Sequence, residues 1–377
     1  MPPPQHAPDP DSLVIIGAGV VGCAIAWAAS QTLGLSGEST VVLEAAARPG
    51  TGISSRNSGV VHAGLYYEPG SRKARTCVAG NRLVWDWVAA RGVGHRQTGK
   101  LLVARDAQEE AQLDALVDNA AANGVALERV TLAQARALEP ALPPTVRAAG
   151  WSPSSGIVDA HGLVRSLQIA AEQAGVSVVC SAPVTRIEPL EHGFALTTPR
   201  GSMLARRVIN AAGLGATRVA KLVGLTRAMH LARGDYFRLR RQPAWRRLIY
   251  PVTVPGSPSL GVHLTLELDG GCRLGPDLAW VEDPEDFSPA RGELQHAGFL
   301  AAARALLGPC EAGDLVYDSC GIRPKLVGPG APAGDFEIIE HPRGCWHLLG
   351  IESPGLTAAL ALAHELIGVL DNTGPAV

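Results

Sequence analysis

Leu13-Val14-Ile15-Ile16-Gly17-Ala18-Gly19-Val20-Val21-Gly22 is the stretch on which the reading of this chain turns. Its four apolar residues have strand character and run directly into three glycines at G-x-G-x-x-G spacing. The first glycine of such a turn permits the sharp bend, and the second lets backbone approach a pyrophosphate. The third lets the following helix pack against the strand with its N-terminus aimed at the phosphates. A second β-like run, Thr40 to Leu43, ends in Glu44, at the distance where a carboxylate takes ribose hydroxyls and disfavours a 2′-phosphate. Together these residues predict a βαβ unit that binds a dinucleotide. Leu13 to Ala29 also carries no charge and approaches the length of a membrane span. The glycine spacing, the absence of a second hydrophobic span and of any Lys or Arg before the run favour the βα turn.

Bulk properties narrow the class. A chain of 377 residues can form two domains, each with its own core. The net charge of −2 and the absence of a long basic run give no reason to expect nucleic acid. Seven cysteines lie scattered, without C-x-x-C pairs or histidines at zinc spacing, so neither a disulfide framework nor a metal site is expected and a cytoplasmic setting is the natural one. Residues 1–10, with five prolines, read as a disordered tail. No basic amphipathic stretch demands a membrane, although peripheral association at its inner face stays open.

Further along, Thr51 to Gly64 is polar and rich in small residues. Helical patterns cover Lys73–Ala90 and Ala107–Asn123, and Thr131 with Gln134 forms a capping-box pair before a helix stopped by Pro140. Asp159 caps a helix running to Gly175, Val176–Cys180 reads as a buried strand, and three β-like pieces follow, the last ending at Val208–Gly213. Gly261 to Leu268 alternates strictly. That places Val262, Leu264, Leu266 and Leu268 on a core face and His263, Thr265 and Glu267 on a face that meets solvent or a ligand. A β-like stretch, Cys345–Leu349, precedes Gly350 and an apolar helix from Leu356 to Leu370.

These motifs, in this order, resemble the FAD-dependent oxidoreductases of the D-amino-acid-oxidase type, over roughly Asp11 to Leu370. Within that superfamily the chain is most similar to L-2-hydroxyglutarate dehydrogenases and oxidases, through Asn57–Tyr67, Arg233-Gly234-Asp235-Tyr236, Gly261–Thr265 and Gly321-Ile322-Arg323-Pro324. The resemblance implies an α/β fold with an α+β substrate domain: a discontinuous Rossmann-like FAD-binding domain (11–90, 145–220, 318–377) and a mainly antiparallel β-sheet substrate domain (91–144, 221–317). It also implies that Gly17, Gly19, Val20 and Gly22 hold the pyrophosphate of FAD and Glu44 the ribose. Ser54, Arg56, Asn57 and Ser58 then lie along the ribityl chain and ring edge, and Gly213 lies on the cofactor side. The segment bearing Gly350, Glu352, Gly355, Leu356 and Thr357 faces the flavin.

The implied reaction is hydride transfer from a small 2-hydroxy acid to flavin, with amine or amino-acid oxidation as the alternative on the same fold. It requires a carboxylate anchor and, for an alcohol, a base. Arg323 is the expected anchor, since a guanidinium grips a carboxylate through paired hydrogen bonds, with Arg233 as a second substrate-binding arginine. Tyr66 and Tyr250 are expected to add hydroxyl contacts, though Tyr250 also suits edge-strand packing. His263 and His62 are the candidate bases; either one can instead position the flavin. No motif chooses among oxygen, a quinone and another protein as electron acceptor.

Overall fold

In the computed structural model, residues 9, 11–32, 39–240, 244–253, 257 and 259–372 are described. Apart from Asp9, the expected tail at 1–10 lies outside them. The apolar run Leu13–Ile16 is a fully buried strand in the middle of a six-stranded sheet, ordered 337–340, 345–349, 207–210, 13–16, 40–43, 177–179. All neighbours in it are parallel except the first pair. Because side chains alternate across a strand, Leu13 and Ile15 pack on helices Val20–Thr32, Ala160–Gln173 and Gly355–Asn372. Val14 and Ile16 pack on a three-stranded meander, Arg186–Leu190, Gly193–Thr198 and Gly201–Ala205, through Phe194 and Leu196. Burial on both faces explains why these strands read as continuous apolar runs.

Where three β-like pieces are expected after Cys180, four strands form, because Gly201–Ala205 closes the meander and Arg207–Asn210 leaves it to join the parallel sheet. Two helix starts agree with the expected capping residues, since Asp159 caps Ala160–Gln173 and Thr131 with Gln134 makes both bonds of the capping box, while Arg72–Arg91 is capped by Ser71.

The second sheet has nine strands, in the order 279–281, 230–239, 272–275, 263–266, 248–251, 100–104, 148–152, 128–130, with 315–325 also paired to 230–239. It is antiparallel but for the pairing of Leu248–Pro251 with Lys100–Ala104. Two expected boundaries do not follow the sheets. Ala148–Ser152, beyond the cut at 144/145, pairs with Lys100–Ala104, and Leu315–Lys325, which runs across the cut at 317/318, pairs with His230–Leu239, so both strands belong to this second sheet. The alternating strand His263–Leu266 is central and buried on both faces, so the face carrying His263 and Thr265 does not meet solvent, whereas Leu268, expected in the core, lies past the strand's end and is exposed.

The turn at the head of the first helix tolerates no side chain. A Cβ at Gly22 would lie 1.9 Å from the Gly17 carbonyl oxygen, whereas one at Gly298, on an exposed helix surface, would meet nothing within 4 Å. Gly22→Ala should therefore destabilise the protein by about 1–3 kcal/mol, while Gly298→Ala should be neutral or stabilise it by about 0.5–1 kcal/mol. Urea unfolding of both variants checks this, and an unchanged midpoint for Gly22→Ala would contradict the packing described.

Candidate active site

The carboxyl ends of the parallel strands open into a cavity of about 590 Å³, whose other wall is the second sheet. In open α/β sheets this is where ligands bind. Gly17, with φ +106°, Gly19 and Val20 line the cavity at the helix N-terminus. Gly22 lies one turn back and serves the helix–strand contact. The Val20 N–H donates to Ser54 Oγ at 2.9 Å, so the polar 51–59 segment is tied to the helix start. Glu44 lines the cavity with its carboxylate fixed by the N–H groups of Ala18 (2.7 Å) and Ala46 (2.8 Å). Asn57 builds its own loop, donating to the Ile53 and Ser54 carbonyls and accepting from the Gly59 N–H. Arg56, Ser58 and Gly213 complete this wall, with the Arg56 guanidinium 4.0 Å over the Phe287 ring.

The second sheet contributes the facing groups, and strand periodicity selects them. On the strand His230–Leu239, Gly234 and Tyr236 face the cavity; on Leu315–Lys325, Gly321, Arg323 and Lys325 do. Gly234 leaves room for the arginine, since a Cβ there would lie 2.8 Å from Arg323 Nη2. Three main-chain carbonyls fix that guanidinium: Nε donates to Ala232 (3.2 Å), and Nη2 to Arg233 (3.2 Å) and Asp277 (2.6 Å). Among the described residues no carboxylate pairs with Arg323, and Nη1 keeps no protein partner. The expected two-pronged grip is thus already taken up in part by main chain, and the free edge is Nη1.

His263 lines the cavity and is 4 % exposed. Its Nδ1 lies 2.8 Å from the Gly261 carbonyl oxygen. A carbonyl only accepts, so Nδ1 carries the hydrogen and Nε2 holds a free lone pair. Burial lowers the pKa to about 3 against the opposing Gly261 bond, with Lys100 and Arg323 adding to the depression, so the ring is neutral at physiological pH. Tyr250 is stacked against this ring, centroids 3.7 Å apart.

His62 also lines the cavity, but its bonds are those of a tether. Its N–H donates to Thr357 Oγ1 at 3.0 Å, its carbonyl accepts from Asn81 Nδ2 at 2.9 Å, and Nε2 lies 3.5 Å from Ser353 Oγ. Burial, with Lys100 and His263 nearby, holds its imidazole well below the ordinary pKa. Beside it, the buried Glu352 carboxylate receives both Lys73 Nζ (2.9 Å) and Lys325 Nζ (2.8 Å). Burial alone would raise the pKa of Glu352, and the two ammonium groups outweigh it and hold it below the usual carboxylate range.

Several expected site residues stand elsewhere. Tyr250 is fully buried behind His263 and does not reach the cavity, because alternation along Leu248–Pro251 turns its ring into the sheet stack. Arg233 points to the face opposite Gly234, where it is fully buried against Asp235 (2.7 Å) and Asp286 (3.0 Å), so its charge is already neutralised. Gly350 forms a left-handed turn outside the cavity wall, and Thr357 touches the His62 backbone rather than the cavity, whereas Glu352, Gly355 and Leu356 line it. Tyr66 lines it. Sequence reasoning missed Lys73, which opens an ordinary helical pattern, and Tyr236, which the period-two spacing from Gly234 could have found.

Residues 12–368 match the FAD dependent oxidoreductase (DAO) family, and the chain belongs to it. It is 35% identical over 407 residues to the mitochondrial L-2-hydroxyglutarate dehydrogenase of Arabidopsis thaliana, covering 94% of this chain and 82% of that protein. It is 30% identical to L-2-hydroxyglutarate dehydrogenase of Escherichia coli K12, covering 94% and 92%. In fold it is similar to dithionite-reduced L-α-glycerophosphate oxidase from Mycoplasma pneumoniae with FAD bound (TM-score 0.85, 24% identity, 96% and 94% covered). It is likewise similar to glycine oxidase from Geobacillus kaustophilus (TM-score 0.79, 20% identity, 96% and 94% covered).

FAD is therefore the cofactor, and the cavity fits it. The bare glycine turn at a helix N-terminus suits a pyrophosphate, and Glu44 suits a ribose diol. No described helix is long and apolar enough to cross a membrane.

The lysine pair makes Glu352 a stability determinant. Glu352→Gln leaves two buried ammonium groups without their carboxylate and should cost about 3–5 kcal/mol at pH 7. The lowered carboxylate pKa means that this contribution is complete above the unfolded value of about 4.3 and is lost as pH falls through the folded one. Urea titrations of parent and variant should show a constant gap near neutrality that closes only in acid; a negligible gap at pH 7 would contradict the cluster.

Proposed function

We propose that this enzyme oxidises the C2 hydroxyl of L-2-hydroxyglutarate to the 2-oxo acid. The observation that carries the reading is one cavity holding both an arginine that pairs with no carboxylate among the described residues and a histidine fixed in its Nδ1–H tautomer. The names of the relatives covering most of the chain support the same substrate. FAD supplies the hydride acceptor when bound.

The residues divide the remaining work. Arg323, held in plane by three carbonyls, binds the C1 carboxylate through charge and its free Nη1. His263 Nε2 takes the hydroxyl proton as the C2 hydrogen departs, and the Gly261 bond and Tyr250 stack keep the ring aimed. His62 joins the 59–64 segment to the C-terminal turn and positions the flavin side of the cavity. The Lys73–Glu352–Lys325 cluster holds one more ammonium than carboxylate and suits a dianionic substrate. An alcohol needs a base to lose hydride, whereas a neutral amine does not, and the neutral His263 therefore favours the hydroxy acid over an amine.

Anaerobic mixing with a panel of L- and D-2-hydroxyglutarate, glycine, sarcosine and D-amino acids tests the substrate. Bleaching of the flavin by L-2-hydroxyglutarate is expected, and bleaching by amines alone would overturn the reading. His263→Gln should keep FAD yet slow flavin reduction about 10²-fold or more. Arg323→Lys should weaken catalysis by the equivalent of about 1.5–3 kcal/mol, measured as kcat/KM. Parental kinetics in either variant would remove that residue from its role.

A further inference from the structure

Lys100 is fully buried, and among the described residues its amine has no hydrogen-bond partner. It starts the strand Lys100–Ala104, whose parallel neighbour carries Tyr250. The amine lies 3.9 Å over the Tyr250 ring and 5.4 Å from the Tyr66 ring. Tyr250 in turn lies flat on His263, 3.7 Å away with the planes 18° apart. Amine, phenol and imidazole thus form one three-layer stack that ends at the cavity, with Lys100 on the far side from the candidate base.

Among the described residues, the groups facing Lys100 offer it no anion. They are Tyr66 from the loop after Val61, Cys77 from the helix Arg72–Arg91, Tyr250 from the adjacent strand, and the neutral imidazoles of His62 and His263. Burial raises Cys77, Tyr66 and Tyr250 above their ordinary ranges, so none of the three ionises near neutral pH. Arg323 adds a further positive charge acting on His263. A buried ammonium without a partner is costly, and the balance here brings Lys100 down to about 7.

We propose that Lys100 is a positioning residue for proton removal: acting across the Tyr250 ring, its charge opposes the arrival of a proton on His263, and loss of that charge admits one. The inference rests on the reading of His263 as base. At the separation set by the stack, two like charges interact enough to change a proton-transfer rate by about threefold to tenfold.

The test is the pH profile of flavin reduction, measured anaerobically by rapid mixing from pH 5.5 to 9, in FAD-loaded parent and Lys100→Met. The parent rate should rise about threefold to tenfold through a step near pH 7. Lys100→Met should lack the step and at pH 6 run at the parent's high-pH plateau. A lysine whose folded pKa is lowered destabilises the fold fully below that pKa, and the penalty lifts as pH rises toward the unfolded value. The variant should therefore be at least as stable as the parent at pH 6. A flat parent profile, which needs no variant, overturns the proposal, as does a step retained in Lys100→Met; the uncharged Lys100→Gln gives the same comparison should the methionine variant not fold. If L-2-hydroxyglutarate bleaches the flavin with a flat profile, only the role of Lys100 falls. If it bleaches at no pH, the substrate reading falls, and the profile is taken with the panel compound that does bleach.

Discussion

The approach of Gly22 to the Gly17 carbonyl sets the geometry on which the site depends. With no Cβ between them, the first helix sits tight against the central strand and turns its N-terminus into the cavity. Ser54 takes the Val20 N–H there, and that bond carries the polar 51–59 segment into place. The same segment continues into Val60-Val61-His62, which Thr357 ties to the C-terminal helix. One close contact thus aligns three stretches far apart in the chain around a single cofactor surface.

The opposite wall obeys a different constraint, the period of two along a strand. It puts Arg233 and Gly234, adjacent in sequence, on opposite faces: the arginine is buried in carboxylates, and the glycine makes space for Arg323. It also explains why His263 can be deeply buried and still line the cavity, since its side of a central strand is closed off from solvent by the cavity wall. Burial then fixes the chemistry. A neutral imidazole bonded through Nδ1 to a carbonyl has one group left to offer, the Nε2 lone pair.

Much of this was legible because it rests on local rules. The glycine fingerprint, Glu44, the capping residues and the alternation around His263 each follow from short-range geometry, and Arg323 followed from the residues around it. Arg233 and Tyr250 were misplaced for the converse reason, since which face of a strand looks inward depends on strand partners distant in sequence. Lys73 and Lys100 were invisible as site residues. One opens an ordinary helix and the other a short strand, and only the tertiary fold brings them to Glu352 and to the Tyr250–His263 stack.

The central claim is that His263 stands ready as a neutral base with its hydrogen on Nδ1. Nitrogen-15 NMR of histidine-labelled, FAD-loaded protein at pH 7 measures this directly. The account predicts a protonated Nδ1 and a bare Nε2 for the resonance that disappears in His263→Gln. An Nε2–H tautomer or an imidazolium at that position would contradict it.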